Sequence, residues 1–240
     1  MKYIKTILFD LDGTLLPMDQ EAFIGAYLKE LGLKGTAMGY DSQKLVKVVM
    51  QGAGLMIGND GTMTNENRFW EMFLGIFGGD VQEHIAWFEE FYRNEFSKVK
   101  AAVQPTPLAY EIIQSLKNKG YELVLATNPI FPKVATYERM RWAGISTDDF
   151  SLITTYENSS YAKPNLGYYR EILTTIGAEP DNCLMIGNDV QEDLVAAELG
   201  LRVYLVTDDL INANGDDITT FTQGNRENLL DFALQLPDLF

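Results

Sequence analysis

Hydrophobic positions divide the chain into two regimes. Residues 7–9 (Ile-Leu-Phe) form a short apolar run that reads as a buried strand, ending in Asp10, Leu11, Asp12, Gly13 and Thr14. The strand pattern stops at Pro17. From about residue 18 to 103 the spacing is helical. Phe23, Ala26, Tyr27 and Leu31 recur on one face, with Gly32 as the predicted stop. Leu45, Val48 and Val49 begin another helix. Phe69, Met72, Phe73, Ile76 and Phe77 match the i, i+3, i+4, i+7, i+8 template, closed by Gly78-Gly79. Ile85, Phe88, Tyr92 and Phe96 form a fourth stripe. These aromatic stripes read as the helical block's own core. The glycine-rich stretch 52–61 reads as a loop between helices, since it carries no phosphate-binding glycine motif.

After Pro105 and Pro107 the pattern changes to alternation. Leu108, Ile112 and Leu116 mark a helix ending near Gly120. Strands are predicted at 121–126, 150–154, 184–186 and 203–206. Helices fall between them around 134–143, 166–176 and 194–199, and a last helix around 228–234. This order predicts an α/β fold: a doubly wound parallel sheet formed by residues 1–16 and 104–240, with an inserted all-helical domain at 17–103. In such sheets ligands bind beyond the carboxyl ends of the strands. Asp10 and Asp12 end the first strand, Thr127 and Asn128 the second, and Asp189 the fourth. Residues far apart in sequence are thereby predicted to meet in one crevice.

Composition narrows the function. Of 240 residues, 34 are acidic and 19 basic, giving a net charge of −15. That field repels nucleic-acid backbones, and it obliges any phosphorylated substrate to find local cations. The single cysteine, Cys183, excludes an internal disulfide and fits a reducing compartment. No apolar run approaches a membrane span, and the apolar start is too short for a secretory signal. The expectation is a cytoplasmic protein, monomer or homodimer, with no membrane or nucleic-acid partner.

Two aspartates at a strand end repel one another unless a cation or a proton lies between them. Strand alternation puts Asp10 and Asp12 on one side, and Gly13 permits the sharp departure that follows. With Asp189 they offer hard oxygen ligands suited to Mg²⁺ rather than a soft metal. His84 and Cys183 are single and distant, and read as structural. Asp193, near a helix start, suits either the helix dipole or an outer position behind a metal. Lys163, alone a solvated lysine, would offset the negative field if it faced these carboxylates. Thr127 and Asn128 offer a hydroxyl and an amide to phosphate oxygens, or else merely make the turn before Pro129.

The strings FDLDGTLL, ATNP, AKP and GNDVQED, in this order over residues 7–193, resemble the four signature motifs of the haloacid dehalogenase-like (HAD) hydrolase superfamily. The helical block lies where that superfamily carries a helical cap. The resemblance implies a Mg²⁺-dependent phosphatase acting on a small phosphorylated metabolite. Asp10 would be the nucleophile that forms an aspartyl-phosphate, and Asp12 the acid and then the base. Mg²⁺ would take the Asp10 side chain, the Asp12 carbonyl and Asp189, with Asp193 behind it. Thr127, Asn128 and Lys163 would hold the phosphoryl group. The third motif departs from the usual pattern, since Pro164 is followed by Asn165, Leu166 and Gly167.

Other outcomes share this scaffold. A sugar phosphomutase would return the phosphoryl group to its substrate. A phosphonatase would need a cap lysine, for which Lys29, Lys34, Lys44 and Lys47 qualify by position. A dehalogenase would not need Asp12. A regulatory or binding protein would dispense with the chemistry.

Overall fold

The computed structural model describes residues 4–240. In chain order its elements are β1 (Thr6–Phe9), α1 (Gln20–Ala37), α2 (Ser42–Ile57), α3 (Asn65–Phe77), α4 (Val81–Asn94), α5 (Leu108–Asn118), β2 (Glu122–Leu125), α6 (Lys133–Ala143), β3 (Leu152–Ile153), α7 (Leu166–Ile176), β4 (Cys183–Gly187), α8 (Val190–Asp193), β5 (Arg202–Val206), β6 (Thr222–Gly224) and α9 (Arg226–Gln235). A 3₁₀ turn, Phe96–Ala102, follows α4, and another, Leu194–Leu199, continues α8.

The six strands form one parallel sheet in the order β3-β2-β1-β4-β5-β6. β1 and β4 are buried along their whole length, which is why their sequences are unbroken apolar runs. The chain builds outward from β1 on one side through β2 and β3. It then returns to the other side through β4, β5 and β6. The point of reversal is at β1. Phe9 is level with Leu125 and with Ile186, so the residues that follow all three strands emerge together.

The helical block enters and leaves the core side by side. Met18 and Val103 form an antiparallel bridge, and Gln104 N donates to Pro17 O at 2.9 Å. Within the block His84 is structural, joining Tyr40 Oη at 2.5 Å and Gly78 O at 2.8 Å. Two expectations need correction. Gly32 does not end α1, and residues 52–57 are not loop. A Cβ on Gly32 would lie 2.6 Å from Ser42 Oγ, one on Gly35 2.3 Å from Leu45 Cδ2, and one on Gly52 2.5 Å from the Phe69 ring. These glycines sit inside helices because neighbouring helices press against them. The aromatic stripes also do more than fill the block. Phe23 and Tyr27 pack on Phe131 with ring centroids 6.3 and 5.3 Å apart, and Phe96 stacks on Trp142 at 5.1 Å. Block and core therefore share an aromatic seam.

The remaining differences are local. The predicted strand at 150–154 is reduced to two residues, because Thr154 turns its hydroxyl onto the Leu125 and Thr127 carbonyls. β6 has a polar sequence and exists only by pairing with β5. The predicted helix at 194–199 is a 3₁₀ turn. Among the described residues no helix is long and apolar enough to cross a membrane.

Candidate active site

Asp10 leaves β1 with its amide still donating to Ile186 O at 2.8 Å, so the main chain is in register when it reaches the rim. Its side chain is nearly buried. Lys163, wholly buried in the turn before α7, donates to Asp10 Oδ1 at 2.8 Å and to Asp193 Oδ1 at 2.7 Å. Asp193 Oδ2 in turn accepts the Asp189 amide at 3.0 Å. Gly187 makes that reach feasible, since a Cβ there would lie 2.0 Å from Asp193 Oδ2. Three distant segments are thus joined through one ammonium group. The sequence departure at Asn165 has a local use: its side chain caps α7 by accepting Gly167 N at 2.8 Å.

Gly13 is required twice over. It has φ of +85°, and a Cβ would lie 2.3 Å from Asn188 Nδ2. The turn is held from behind by Arg226 of α9, whose guanidinium donates to Thr14 O at 2.7 Å and to Gly13 O, and pairs with Asp209 at 2.5 Å. Asn188 completes the clamp, taking the Thr14 hydroxyl at 2.8 Å and donating to Asp209 O at 2.8 Å.

Asp12 Oδ2 is engaged by the buried guanidinium of Arg139, on α6, which also lies 4.6 Å from the centre of the Phe131 ring. Asp12 Oδ1 is buried without a partner. Thr127 is buried, and its carbonyl accepts Thr154 Oγ1 at 2.8 Å and Tyr168 Oη at 2.9 Å. Asn128 Nδ2 rests on both Glu192 carboxylate oxygens at 3.0 Å, while Asn128 Oδ1 is buried and unpartnered. Asp189 Oδ1 caps α8, accepting Gln191 N and Glu192 N at 2.9 Å each.

Asp10, Asp12, Thr127, Asn128, Asp189 and Asp193 line one cavity of about 150 Å³, roofed by Phe23, Ile24 and Ile57 of the helical block. Lys163 does not line it, and reaches it only through the two carboxylates. Lys29, Lys34, Lys44 and Lys47 do not line it either. Lys34 is spent on Glu90 and Glu95, and Lys44 lies over the Phe77 ring. Among the described residues, a Schiff-base reading therefore finds no candidate amine at the cavity.

Sequence reasoning missed Arg139, Arg226, Glu192 and Asn188. Glu192 and Asn188 lie inside the fourth string, within reach of closer reading. Arg139 looks in sequence like the exposed Arg141 of the same helix, and Arg226 like any arginine in a helix's first turn.

Charge is unbalanced here. Five carboxylates (Asp10, Asp12, Asp189, Glu192 and Asp193) meet the two cations Lys163 and Arg139. Burial pushes the Asp10 carboxyl up to about 7, with Lys163 pulling it back and Asp193 and Asp12 pushing it further. Burial likewise pushes Glu192 up to about 8, and Asp189 is raised for the same reason. Among the described residues no three His, Cys, Asp or Glu side chains are gathered into a ready-made metal cluster. The donor set still fits Mg²⁺, which needs one or two carboxylates and fills its other positions with water and phosphate oxygens. The excess of negative charge among these five carboxylates is what such an ion would relieve.

A pH dependence follows. Folding raises the Asp10 and Glu192 values, so it favours their neutral forms. Their contribution to stability is complete in acid and declines as pH rises from the ordinary carboxylate range to about 7 for Asp10 and about 8 for Glu192. Chelator-treated protein should therefore lose Tm between about pH 5 and about pH 8, and added Mg²⁺ should raise Tm more at the upper end. A chelated protein whose Tm climbs across that interval would contradict this account.

The family description "haloacid dehalogenase-like hydrolase" matches the chain over residues 4–213. A glyceraldehyde 3-phosphate phosphatase of Methanothermobacter thermautotrophicus is 26% identical over 224 residues, covering 90% of this chain and 91% of that relative. Two crystal structures share the fold. A HAD phosphatase from Thermococcus onnurineus aligns with a TM-score of 0.60 at 20% identity, over 98% of this chain and 100% of that one. The HAD-hydrolase YfnB from Bacillus subtilis, described as bound to magnesium, aligns with a TM-score of 0.57 at 22% identity, over 98% and 100%.

Proposed function

Since the chain belongs to the haloacid dehalogenase-like hydrolases, we propose that it is a Mg²⁺-dependent phosphatase of a small phosphorylated metabolite. The observation that carries this reading is the Lys163 bridge between Asp10 and Asp193 at the rim of the sheet. A lysine so placed pulls the buried Asp10 back toward its ionised form against the effect of burial, and fixes one of its oxygens. Asp10 Oδ2 is left to attack phosphorus. The names of the relatives, phosphatases among them, support the same chemistry.

In the first half-reaction Asp10 bonds to phosphorus, the ester P–O bond breaks, and Asp12 gives its proton to the departing alkoxide. In the second, Asp12 takes a proton from water, which attacks the aspartyl-phosphate and frees phosphate and the Asp10 carboxylate. Arg139 engages the Asp12 carboxylate and would orient it beside the phosphoryl group. The buried Thr127 and the Asn128 amide, now resting on Glu192, are the proposed phosphoryl-binding groups. The Asp10 carboxylate, the Asp12 carbonyl and Asp189 would hold Mg²⁺, with Asp193 behind. When bound, the ion offsets negative charge as phosphorus is attacked.

Residues 17–103 serve in this proposal as a cap. The paired connections at Met18 and Val103 form a narrow neck, and Phe23, Ile24 and Ile57 reach over the cavity. Such a cap excludes bulk water and selects the leaving group.

The test is phosphate release from a panel of phosphorylated metabolites, with Mg²⁺ and with chelator. Release that disappears with chelator is expected. No release from any ester at saturating Mg²⁺ would remove the reading.

A further inference from the structure

A second cavity of about 220 Å³ adjoins the catalytic one. The two share Ile24, Ile57, Ile130 and Phe131 as lining residues, so they meet at one apolar wall between the carboxylates and the helical block. The character of the wall changes completely along the way. Five acidic side chains line the first cavity, whereas among the described residues no charged side chain lines the second.

Its few polar groups are buried donors. Tyr27 and Tyr92 hydroxyls face each other at 2.9 Å, so one donates and the other keeps an unspent proton. Burial pushes the Tyr27 hydroxyl up to about 12, with the Tyr92 bond opposing; the pair stays neutral. Trp70 is 6% exposed. Its indole N–H lies close enough to the Tyr156 hydroxyl to influence it, yet makes no hydrogen bond. At the mouth, Ile24 and Met50 are 39% and 47% exposed, an apolar lip on a strongly acidic protein.

We infer that this cavity receives the leaving group of the substrate, and that this group is apolar and aromatic, of one or two rings. The inference rests on the phosphatase reading and names the substrate class. Three physical points support it. A polar or charged group buried here would lose its water and find only a few hydroxyl and indole donors in exchange. An aromatic group needs no such replacement, and gains from the ring faces already assembled. The volume suffices, since an apolar cavity of about 150 Å³ already admits benzene. The two cavities meet at Ile24, Ile57, Ile130 and Phe131, so a phosphoryl end among the carboxylates and an aryl end beyond these four residues would be recognised by adjoining walls.

The experiment compares 2-phenylethyl phosphate and 2-(2-naphthyl)ethyl phosphate with glycerol 3-phosphate. All three release primary alkoxides, so chemical reactivity is matched. The aryl esters are expected to show kcat/KM on the order of 30-fold higher, the scale of burying one aromatic side chain. Ala53→Trp, which fills the cavity from α2 at a position that does not line the acidic cavity, is expected to erase most of that advantage and leave glycerol 3-phosphate turnover unchanged. Should Ala53→Trp fail to fold, Ala53→Leu and inhibition of the wild type by 2-(2-naphthyl)ethanol provide the same readout. Equal or faster turnover of glycerol 3-phosphate overturns the inference while leaving the phosphatase reading intact. Turnover of none of the esters, with the naphthyl alcohol still binding by calorimetry, removes the phosphatase reading and with it the leaving-group role. A ratio unaffected by filling the cavity assigns selectivity elsewhere and overturns the inference.

Discussion

Asp10→Asn should abolish phosphate release, by about 10⁴-fold or more, while the protein folds with little change in Tm. The two halves of that expectation have separate causes. Turnover falls because an amide oxygen is a poor nucleophile and its phosphorylated product is not a competent intermediate. Stability holds because asparagine keeps an oxygen that can accept from Lys163 at the place of Asp10 Oδ1. Lys163 also keeps its bond to Asp193. The substitution even removes one of five crowded carboxylates. Phosphate release and thermal unfolding on the same preparation separate the outcomes. Turnover within tenfold of wild type would remove Asp10 as nucleophile; a collapsed Tm would show that its charge serves the fold first.

Lys163→Met should damage both properties. The ammonium group is buried between Asp10 and Asp193 at 2.8 and 2.7 Å. Those carboxylates in turn hold its charge well above the ordinary lysine range against the opposing effect of burial. Methionine fills a similar volume but leaves two buried carboxylates facing one another. Breaking a buried pair in this way costs about 3–5 kcal/mol, enough to threaten a domain of ordinary stability. Turnover should fall by on the order of 10²-fold or more, because Asp10 would be protonated at neutral pH and free to rotate. Lys163→Met combined with Asp193→Asn should recover part of the stability and none of the turnover. Measuring Tm and kcat/KM for the pair checks this. Full recovery of activity in the double variant would show that Lys163 serves only to neutralise Asp193.

The two experiments divide the site into a reacting group and a support. Arg139 extends the support to Asp12, and Arg226 extends it to the Gly13–Thr14 carbonyls. Both arginines come from helices, α6 and α9, that pack against the sheet. The rim is thus rigidly braced from the core side, while its opposite wall is supplied by the helical block. That division suits a site in which the chemistry stays fixed and selectivity resides in the block.

Much of this was legible from residue order. Unbroken apolar runs at β1 and β4 can only be strands covered on both faces, and their alternation with helical periods dictates a parallel sheet. Parallel strands bring their carboxyl ends to one edge, so placing Asp10, Thr127, Asn128 and Asp189 around one crevice needed only the strand order. Where the pattern misled, tertiary contact overrode local preference. Gly32 and Gly52 read as breaks, but they lie inside helices where Ser42 and Phe69 occupy the space a side chain would need. β6 carries no apolar signal, being polar and formed only by pairing with β5.

Periodicity and the order of strings are local properties, carried by neighbours along the chain, and they establish the sheet, the block and the rim on which the carboxylates stand. Partner choice is not local. That Lys163 reaches Asp193, that Arg139 takes Asp12, and that an uncharged cavity opens beside the acidic one all depend on separations of tens of residues closed by packing. No spacing in the chain encodes those distances; only the folded core brings such side chains within a few ångströms of each other.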